Sequence, residues 1–249
     1  MTGADGRIEE LARRFWAETR LATSFPRDIE RAVALALPVA VIVVSRLTSE
    51  AIRAWLRRRR LGIPVPEGHD DLMGCIIARG GNAFILVSGS DPEEERRYTI
   101  AHEVAHLLLH YLLPREQVTA VLGEGIVDVL DGIRPPTLAE RAAAIFSSIR
   151  LGAHVHLMPR HGRGASVVAR LEDEADALAL ELVAPREAIT LLSRSPELRE
   201  LDDAERCRSL GVHFGVPPHL FEPIVRPNYQ SRPVSFVDQL SSVLREQKR

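Results

Sequence analysis

Two histidines four residues apart, with a glutamate beside the first, constrain more strongly than any other feature what this chain can fold into. They form His-Glu-Val-Ala-His at residues 102–106, inside the run Arg-Tyr-Thr-Ile-Ala-His-Glu-Val-Ala-His-Leu-Leu-Leu-His at residues 97–110. On an α-helix this spacing places both imidazoles on one face, one turn apart, where they can ligate one zinc ion. Glu103 lies beside them and is the candidate general base. The segment is therefore predicted to be helical, and a further ligand must come from elsewhere.

The helix that carries this motif has sequence signals at both ends. Asp91 is a predicted N-cap, Pro92 suits the first helical position, and Glu94 lies three residues after the cap, as in a capping box. We expect the helix to run to about Tyr111 and to be stopped by Pro114. The two histidines are thus predicted to lie on a well-supported element.

Short strands and amphipathic helices account for much of the remaining chain. Residues 74–78 and 83–88 are apolar runs on either side of Arg-Gly-Gly-Asn, which predicts a β-hairpin that leads into the motif helix. Strand 83–88 is expected either to expose an edge to an extended substrate or to be a plain core strand. Further strands are predicted at 38–44 and 154–158, and helices at 6–20, after 26, from 48, at 137–149 and at 167–183. The predicted fold class is α+β, mostly helical, with a small sheet that includes the hairpin at 74–88.

A catalytic zinc site needs a third protein ligand. His110 lies one further turn along the helix, but a rise of about 1.5 Å per residue puts it roughly 12 Å from His102, whereas zinc bonds are about 2 Å long. We therefore predict that His110 packs against or supports the site. Glu172 is the favoured ligand, with Asp176 to accept a hydrogen bond from the other ring nitrogen of a ligand histidine. Glu174, on the other side of the helix, is the alternative ligand. The favoured face comprises Glu172, Ala175, Asp176 and Ala179.

Together these residues predict hydrolytic chemistry. Zinc (Zn2+) held by His102, His106 and Glu172 would lower the pKa of a bound water molecule, and Glu103 would take its proton. The hydroxide would attack a peptide carbonyl, and Glu103 would pass the proton to the leaving amine. A tetrahedral oxyanion also needs a stabiliser, for which the candidates are Tyr98, His154 and His156.

Composition argues against several other classes of function. The 249 residues are 45% hydrophobic and 27% charged, enough to bury a full core, and a net charge of -2 offers no overall attraction to nucleic acid or anionic lipid. Cys75 and Cys207 form no CxxC, so we predict neither a disulfide framework nor a thiolate zinc site. The N-terminus has no apolar signal segment, and the longest apolar run, residues 33–44, is too short to span a bilayer. We expect a cytoplasmic protein without direct nucleic-acid or membrane binding; no feature indicates an oligomeric state.

Two segments resemble the ImmA/IrrE-type metallopeptidases. They are residues 93–110 and residues 172–185, Glu-Asp-Glu-Ala-Asp-Ala-Leu-Ala-Leu-Glu-Leu-Val-Ala-Pro, and with the hairpin and the N-terminal helices the resemblance covers about residues 6–190. The second segment is also similar to the third-ligand helix of thermolysin-like gluzincins. The resemblance implies a zincin-like fold and zinc-dependent cleavage of a protein substrate, such as a helix-turn-helix transcriptional repressor, in stress-response or mobile-element regulation. Carried over by motif, His102 and His106 would be zinc ligands, Glu103 the general base and Glu172 the third ligand.

The spacing between the two segments is longer than the resemblance implies. Sixty-five residues separate His106 from Glu172, so residues 115–165 are predicted to be an insertion. We expect a metallopeptidase domain at 1–195 and a C-terminal helical extension and tail at 196–249. A second hypothesis is a non-catalytic regulatory or partner-binding protein with a structural zinc site. A third, a DNA-binding module, is disfavoured by the charge balance and by the absence of Lys and Arg from the second of two helices suggested within residues 210–224.

Overall fold

A four-stranded mixed sheet positions the motif helix. The computed structural model describes residues 3–22, 24–141, 152–160 and 166–226. The strands are β1 (Val39–Val44), β2 (Leu72–Arg79), β3 (Asn82–Ser88) and β4 (His154–Pro159), in the spatial order β1-β3-β2-β4. Strand β1 runs parallel to β3, whereas β2 is antiparallel to both β3 and β4.

Strand β3 is internal, which corrects one expectation. The hairpin turn that joins β2 to β3 contains Gly80 and Gly81, whose φ values of 61° and 75° suit the tight turn that the sequence predicts. The other edge of β3 pairs with β1 from Ala83 to Ser88. The expectation that residues 83–88 offer a free edge to substrate is therefore wrong. The expectation fails because β3 pairs with β1, a strand distant in the sequence, and a hairpin pattern does not reveal such a pairing. Among the described strands, β1 and β4 form the edges of the sheet.

Helices pack on both faces of the sheet. Alternation along β2 and β3 sends Ile76 and Ile85 into the larger core and Cys75 and Leu86 into a smaller one. The helices are α1 (Gly3–Thr19), α2 (Ile29–Ala36), α3 (Ser49–Arg58), α4 (Glu93–Leu107), α5 (Leu113–Leu122), α6 (Val127–Leu130), α7 (Ser166–Val183), α8 (Arg186–Ser193), α9 (Pro196–Arg199), α10 (Asp203–Phe214) and α11 (Glu222–Val225). Residues 138–141 are also helical. The predicted α+β, mostly helical class is confirmed. None of the described helices is both long enough and apolar enough to span a membrane.

The motif helix α4 differs from the prediction at both ends. Its N-cap is Pro92 and no side chain caps it, so the predicted capping by Asp91 is wrong. Asp91 is buried instead, and its Oδ1 lies 2.5 Å from Nη2 of Arg160. At the C-terminal end a π-helical turn, Leu108–Leu112, follows α4 directly. Pro114 does not stop the helical path, because it lies in the first turn of α5, where a helix does not need its N–H.

The C-terminal helices contribute to the same core as α4. Phe214 at the end of α10 and Phe221 are both fully buried in the larger core. The rings of Phe214 and Phe25 meet edge to face with centroids 4.8 Å apart. The boundary proposed at residue 195 stays a prediction. The tail from residue 227 and most of the predicted helix 137–149 lie outside the described residues.

Truncating Phe214 should therefore destabilise the whole fold. We expect Phe214→Ala to lower the free energy of unfolding by about 3–5 kcal/mol, through lost burial and the cavity left behind. The control is Val212→Ala on the same helix, where the side chain is 81% exposed and the change should stay within about 0.5 kcal/mol. Urea denaturation followed by circular dichroism measures both. Equal midpoints for the two variants would show that α10 does not share this core.

Candidate metal centre

The site forms where α4 packs against α7. His102, Glu103 and His106 project from α4 and are 2%, 0% and 2% exposed. Facing them on α7, Ala175 and Ala179 are fully buried. These small side chains allow the two helices to approach closely, so that Glu172 from α7 reaches the two histidines.

Three donor atoms of this cluster have the spacing of a tetrahedral metal site. Nε2 of His102 and Nε2 of His106 are 3.0 Å apart. Oε2 of Glu172 lies 3.3 Å from the first and 3.5 Å from the second. Ligand atoms about 2 Å from a tetrahedral zinc ion are about 3.3 Å from one another. The donor set and its spacing therefore fit a metal ion.

Asp176 fixes the orientation of His102. Its Oδ1 lies 2.9 Å from Nδ1 of His102 and also accepts a hydrogen bond of 2.8 Å from the hydroxyl of Tyr98. A carboxylate oxygen only accepts hydrogen bonds, so Nδ1 of His102 carries the proton of that contact. In the neutral ring, Nε2 then has a lone pair directed at the cluster, as metal-binding histidines require.

His110 lies behind His106 rather than in the cluster. The Nδ1 atoms of the two rings are 3.0 Å apart. Burial, followed by the charge of His106, lowers the pKa of His110 to about 3, so its ring is neutral near pH 7. A proton on Nδ1 of His106 can therefore be donated to Nδ1 of His110, which leaves Nε2 of His106 available to a metal. His110 thus supports the site from one turn away.

Glu103 is packed between the cluster and the sheet. It is fully buried, and its Oε2 lies 3.0 Å from Nδ1 of His156. Its Oε1 receives no hydrogen bond from any residue that the structure describes. Gly74 on β2 leaves the space for this carboxylate, since a Cβ at position 74 would lie 2.8 Å from Oε1 and 2.6 Å from Cγ2 of Thr99.

A fourth donor, His156, reaches the cluster from strand β4. Its Nε2 lies 3.0 Å from Oε1 of Glu172, and His102, His106, His156 and Glu172 together offer ligand atoms that are all within 4.8 Å of one another. Burial lowers the pKa of His156, but the charges of Glu103 and Glu172 outweigh it and raise that pKa to about 10. For Glu172, burial raises the pKa, but hydrogen bonds from the histidines outweigh it and hold that pKa well below its usual range.

The sequence predicts His156 only as a candidate oxyanion stabiliser. The sequence does contain one indication of its position. His154 and His156 are two residues apart on a predicted strand, so their side chains lie on the same face. In the register of β4 with β2 these two residues face Ala78 and Ile76, which belong to the larger core beside α4. Without that register the sequence does not reveal which face meets the helix.

The other predicted residues have different surroundings. Tyr98 is buried and its hydroxyl binds Asp176. His154 is buried with its ring centroid 6.0 Å from that of Tyr111 and is not among the four grouped donors. Glu174, the alternative ligand, is also outside that group and lies 3.1 Å from Nε of Arg170 on its own helix. The oxyanion stabiliser stays unassigned.

The fold and the cluster define a zincin-like α+β protein with a candidate metal site. Residues 63–163 match the model of peptidase family M78, described as an IrrE N-terminal-like domain. Over this segment the match supports the predicted resemblance to the ImmA/IrrE-type metallopeptidases. The match includes the motif helix and His156, whereas Glu172 and Asp176 lie beyond it. No curated protein matches the chain significantly.

Replacing Gly74 should disturb Glu103 directly. We expect Gly74→Ala to destabilise the protein by about 1–3 kcal/mol, because the added methyl group cannot fit between β2 and α4 without displacing Thr99 or Glu103. Gly62→Ala is the matched control, since no atom lies within 4 Å of a Cβ at that position. Thermal unfolding of both variants measures the difference. If Gly74→Ala is as stable as the control, Glu103 does not pack against β2 as described.

Proposed function

We propose that this protein is a zinc-dependent endopeptidase. The observation that carries the proposal is the convergence of His102, His106 and Glu172 at tetrahedral spacing beside a buried carboxylate, Glu103. A metal site that only stabilises a fold has no need of a general base. The match of residues 63–163 to a peptidase family supports the same conclusion.

The donor set favours zinc among the common metals. Two imidazoles and a carboxylate are the protein ligands of many catalytic zinc sites, whereas magnesium and calcium prefer oxygen ligands. A bound zinc ion would supply Lewis acidity, which polarises a peptide carbonyl and lowers the pKa of a water molecule. His102 and His106 would hold the ion with their Nε2 atoms, and Glu172 with Oε2.

Glu103 is the residue that moves protons. One of its oxygens is held by His156, while the other receives no hydrogen bond from the described residues. A carboxylate in this position can take a proton from the attacking water and return it to the leaving amine. Because both transfers use the same side chain, loss of Glu103 removes the acid and the base together.

A protein is the proposed substrate. The resemblance to the ImmA/IrrE-type peptidases supports a helix-turn-helix transcriptional repressor, and with it a role in stress-response or mobile-element regulation. The charge balance of the chain favours recognition through the partner protein rather than through nucleic acid. The proposed location is the cytoplasm, which the absence of a disulfide framework supports.

A second candidate function is a non-catalytic regulator with a structural metal site. The observation that favours it is the fourth donor, His156, within 4.8 Å of the other three. Structural zinc sites have four protein ligands, whereas catalytic sites have three and an open position. The two candidates therefore differ in whether His156 would bind the metal or leave a coordination position for water.

Substitution of Glu172 and of Glu174 on α7 should distinguish the metal ligand from its neighbour. We expect Glu172→Gln to lower zinc affinity by more than about 100-fold, because removal of an outer partner alone costs 10–100-fold. Glu174→Gln is the matched control and should bind zinc as the wild type does, since its carboxylate pairs with Arg170. Competition with a chromophoric chelator measures both affinities. A larger loss for Glu174→Gln would reverse the assignment.

Substitution of the general base should abolish hydrolysis without loss of metal. We expect Glu103→Gln to reduce the rate of peptide-bond cleavage by about 10²–10⁴-fold, as for a positioned proton-transfer group, while zinc content stays near one per chain. Glu94→Gln, on the exposed first turn of the same helix, is the control and should cleave as the wild type does.

The assay uses purified, zinc-loaded protein and a helix-turn-helix repressor encoded nearby, and cleavage is followed by mass spectrometry. Cleavage that persists in Glu103→Gln would disprove the assigned base. Wild-type protein that binds zinc but cleaves no repressor and no unfolded protein would favour the regulatory alternative.

A further inference from the structure

We propose that His156 is a positioning residue that joins the general base to the third metal ligand, an inference that rests on the proposed function. Its two ring nitrogens lie between two carboxylates that come from different helices. Nδ1 is 3.0 Å from Oε2 of Glu103 and Nε2 is 3.0 Å from Oε1 of Glu172. One imidazole thus sets the separation of the two carboxylates.

The oxygen that His156 contacts on Glu172 is not the one directed at the other histidines. Oε2 of Glu172 lies near His102 and His106, at 3.3 and 3.5 Å, whereas His156 binds Oε1. Metal-binding carboxylates are commonly held in this way, with the second oxygen accepting a hydrogen bond from a neighbouring group. This geometry makes His156 a partner of the ligand rather than a fourth ligand.

Hydrogen-bond chemistry supports the same assignment. Ionised carboxylate oxygens only accept hydrogen bonds, so both nitrogens of His156 act as donors in this arrangement. A nitrogen that donates a hydrogen bond has no lone pair left for a metal. While Nε2 donates a hydrogen bond to Glu172, a bound metal ion would keep its fourth position for water or substrate.

The position of His156 is fixed by strand β4. His156 pairs with Ile76 in the register of β4 with β2, and its ring stacks on that of His106 with centroids 3.7 Å apart. Directly after β4, Arg160 binds Oδ1 of the buried Asp91 at 2.5 Å and Oδ2 of Asp71 at 3.1 Å. These ion pairs attach the end of β4 to the segments that precede α4 and β2. They therefore fix the position of the strand that carries His156.

Two substitutions can separate the two contacts. The amide of Asn reaches about where Nδ1 of a histidine lies, and the amide of Gln reaches about where Nε2 lies. His156→Asn therefore keeps a donor for Glu103 and loses the one for Glu172, and His156→Gln does the reverse. The two variants are controls for each other, and thermal unfolding checks that both are folded.

The experiment measures zinc affinity by chelator competition and, separately, kcat for the repressor substrate. We expect His156→Asn to lower zinc affinity by about 10–100-fold and, at saturating zinc, to lower kcat less than His156→Gln does. For His156→Gln we expect near-normal affinity and a kcat about 10–100-fold lower, because the base is no longer held in position. One variant would then lose mainly zinc affinity and the other mainly kcat, a result that a merely structural role of His156 would not produce.

A further measurement identifies the open position. With cobalt in place of zinc, added azide should change the visible spectrum of the wild type, because a small anion can enter the vacant position. If azide leaves the wild-type spectrum unchanged and both variants lose more than about 100-fold in affinity, His156 is a fourth ligand and the proposal is wrong. If both variants retain affinity and kcat, His156 only packs and the proposal is also wrong. The affinity and azide results do not depend on cleavage, so they stand even if the proposed peptidase activity fails.

Discussion

The contact between α4 and α7 is the interaction on which the rest of the structure depends. Burial of Glu103 and of two imidazoles would be strongly unfavourable if these groups had no partners. Helix α7 supplies two carboxylates beside these histidines. Glu172 lies near Nε2 of both rings, and Asp176 contacts Nδ1 of His102. The two helices belong to distant parts of the chain, so the polar groups of one become tolerable only once the other has docked. Docking of α7 on α4 and assembly of the site are therefore coupled.

The sheet completes the polar cluster that the helices begin. Strand β2 contributes a residue without a side chain, Gly74, where the carboxylate of Glu103 lies. Strand β4 contributes His156, the partner of that same carboxylate. Since β2 and β4 pair directly, the space for the Glu103 side chain and the hydrogen bond that holds it come from neighbouring strands. A shift of β4 by one residue would turn His156 to the opposite face and remove it from the site.

Features set by local sequence were predictable, and features set by non-local pairing were not. Helical periodicity alone places Glu172 and Asp176 on the face that meets the motif helix, and the Gly-Gly turn identifies the hairpin. Pairing of β1 with β3 involves strands about forty residues apart and carries no comparable signal. Asp91 has the residue type and spacing of an N-cap, yet its carboxylate binds Arg160 after β4, far along the chain. The contacts of His156 with Glu103 and Glu172 were not predicted for the same reason, because they depend on the register of β4.

Whether the site is catalytic or structural depends on what Nε2 of His156 binds. His102, His106 and Glu172 already have the spacing of three ligands of a tetrahedral ion. Nε2 of His156 can either donate a hydrogen bond to Oε1 of Glu172 or bind the ion through its lone pair, but it cannot do both. The first choice leaves the fourth position open and keeps Nδ1 directed at Glu103. The second would fill that position and leave the proposed base, Glu103, without a role, so the contact of Glu103 with His156 supports the proposed open site.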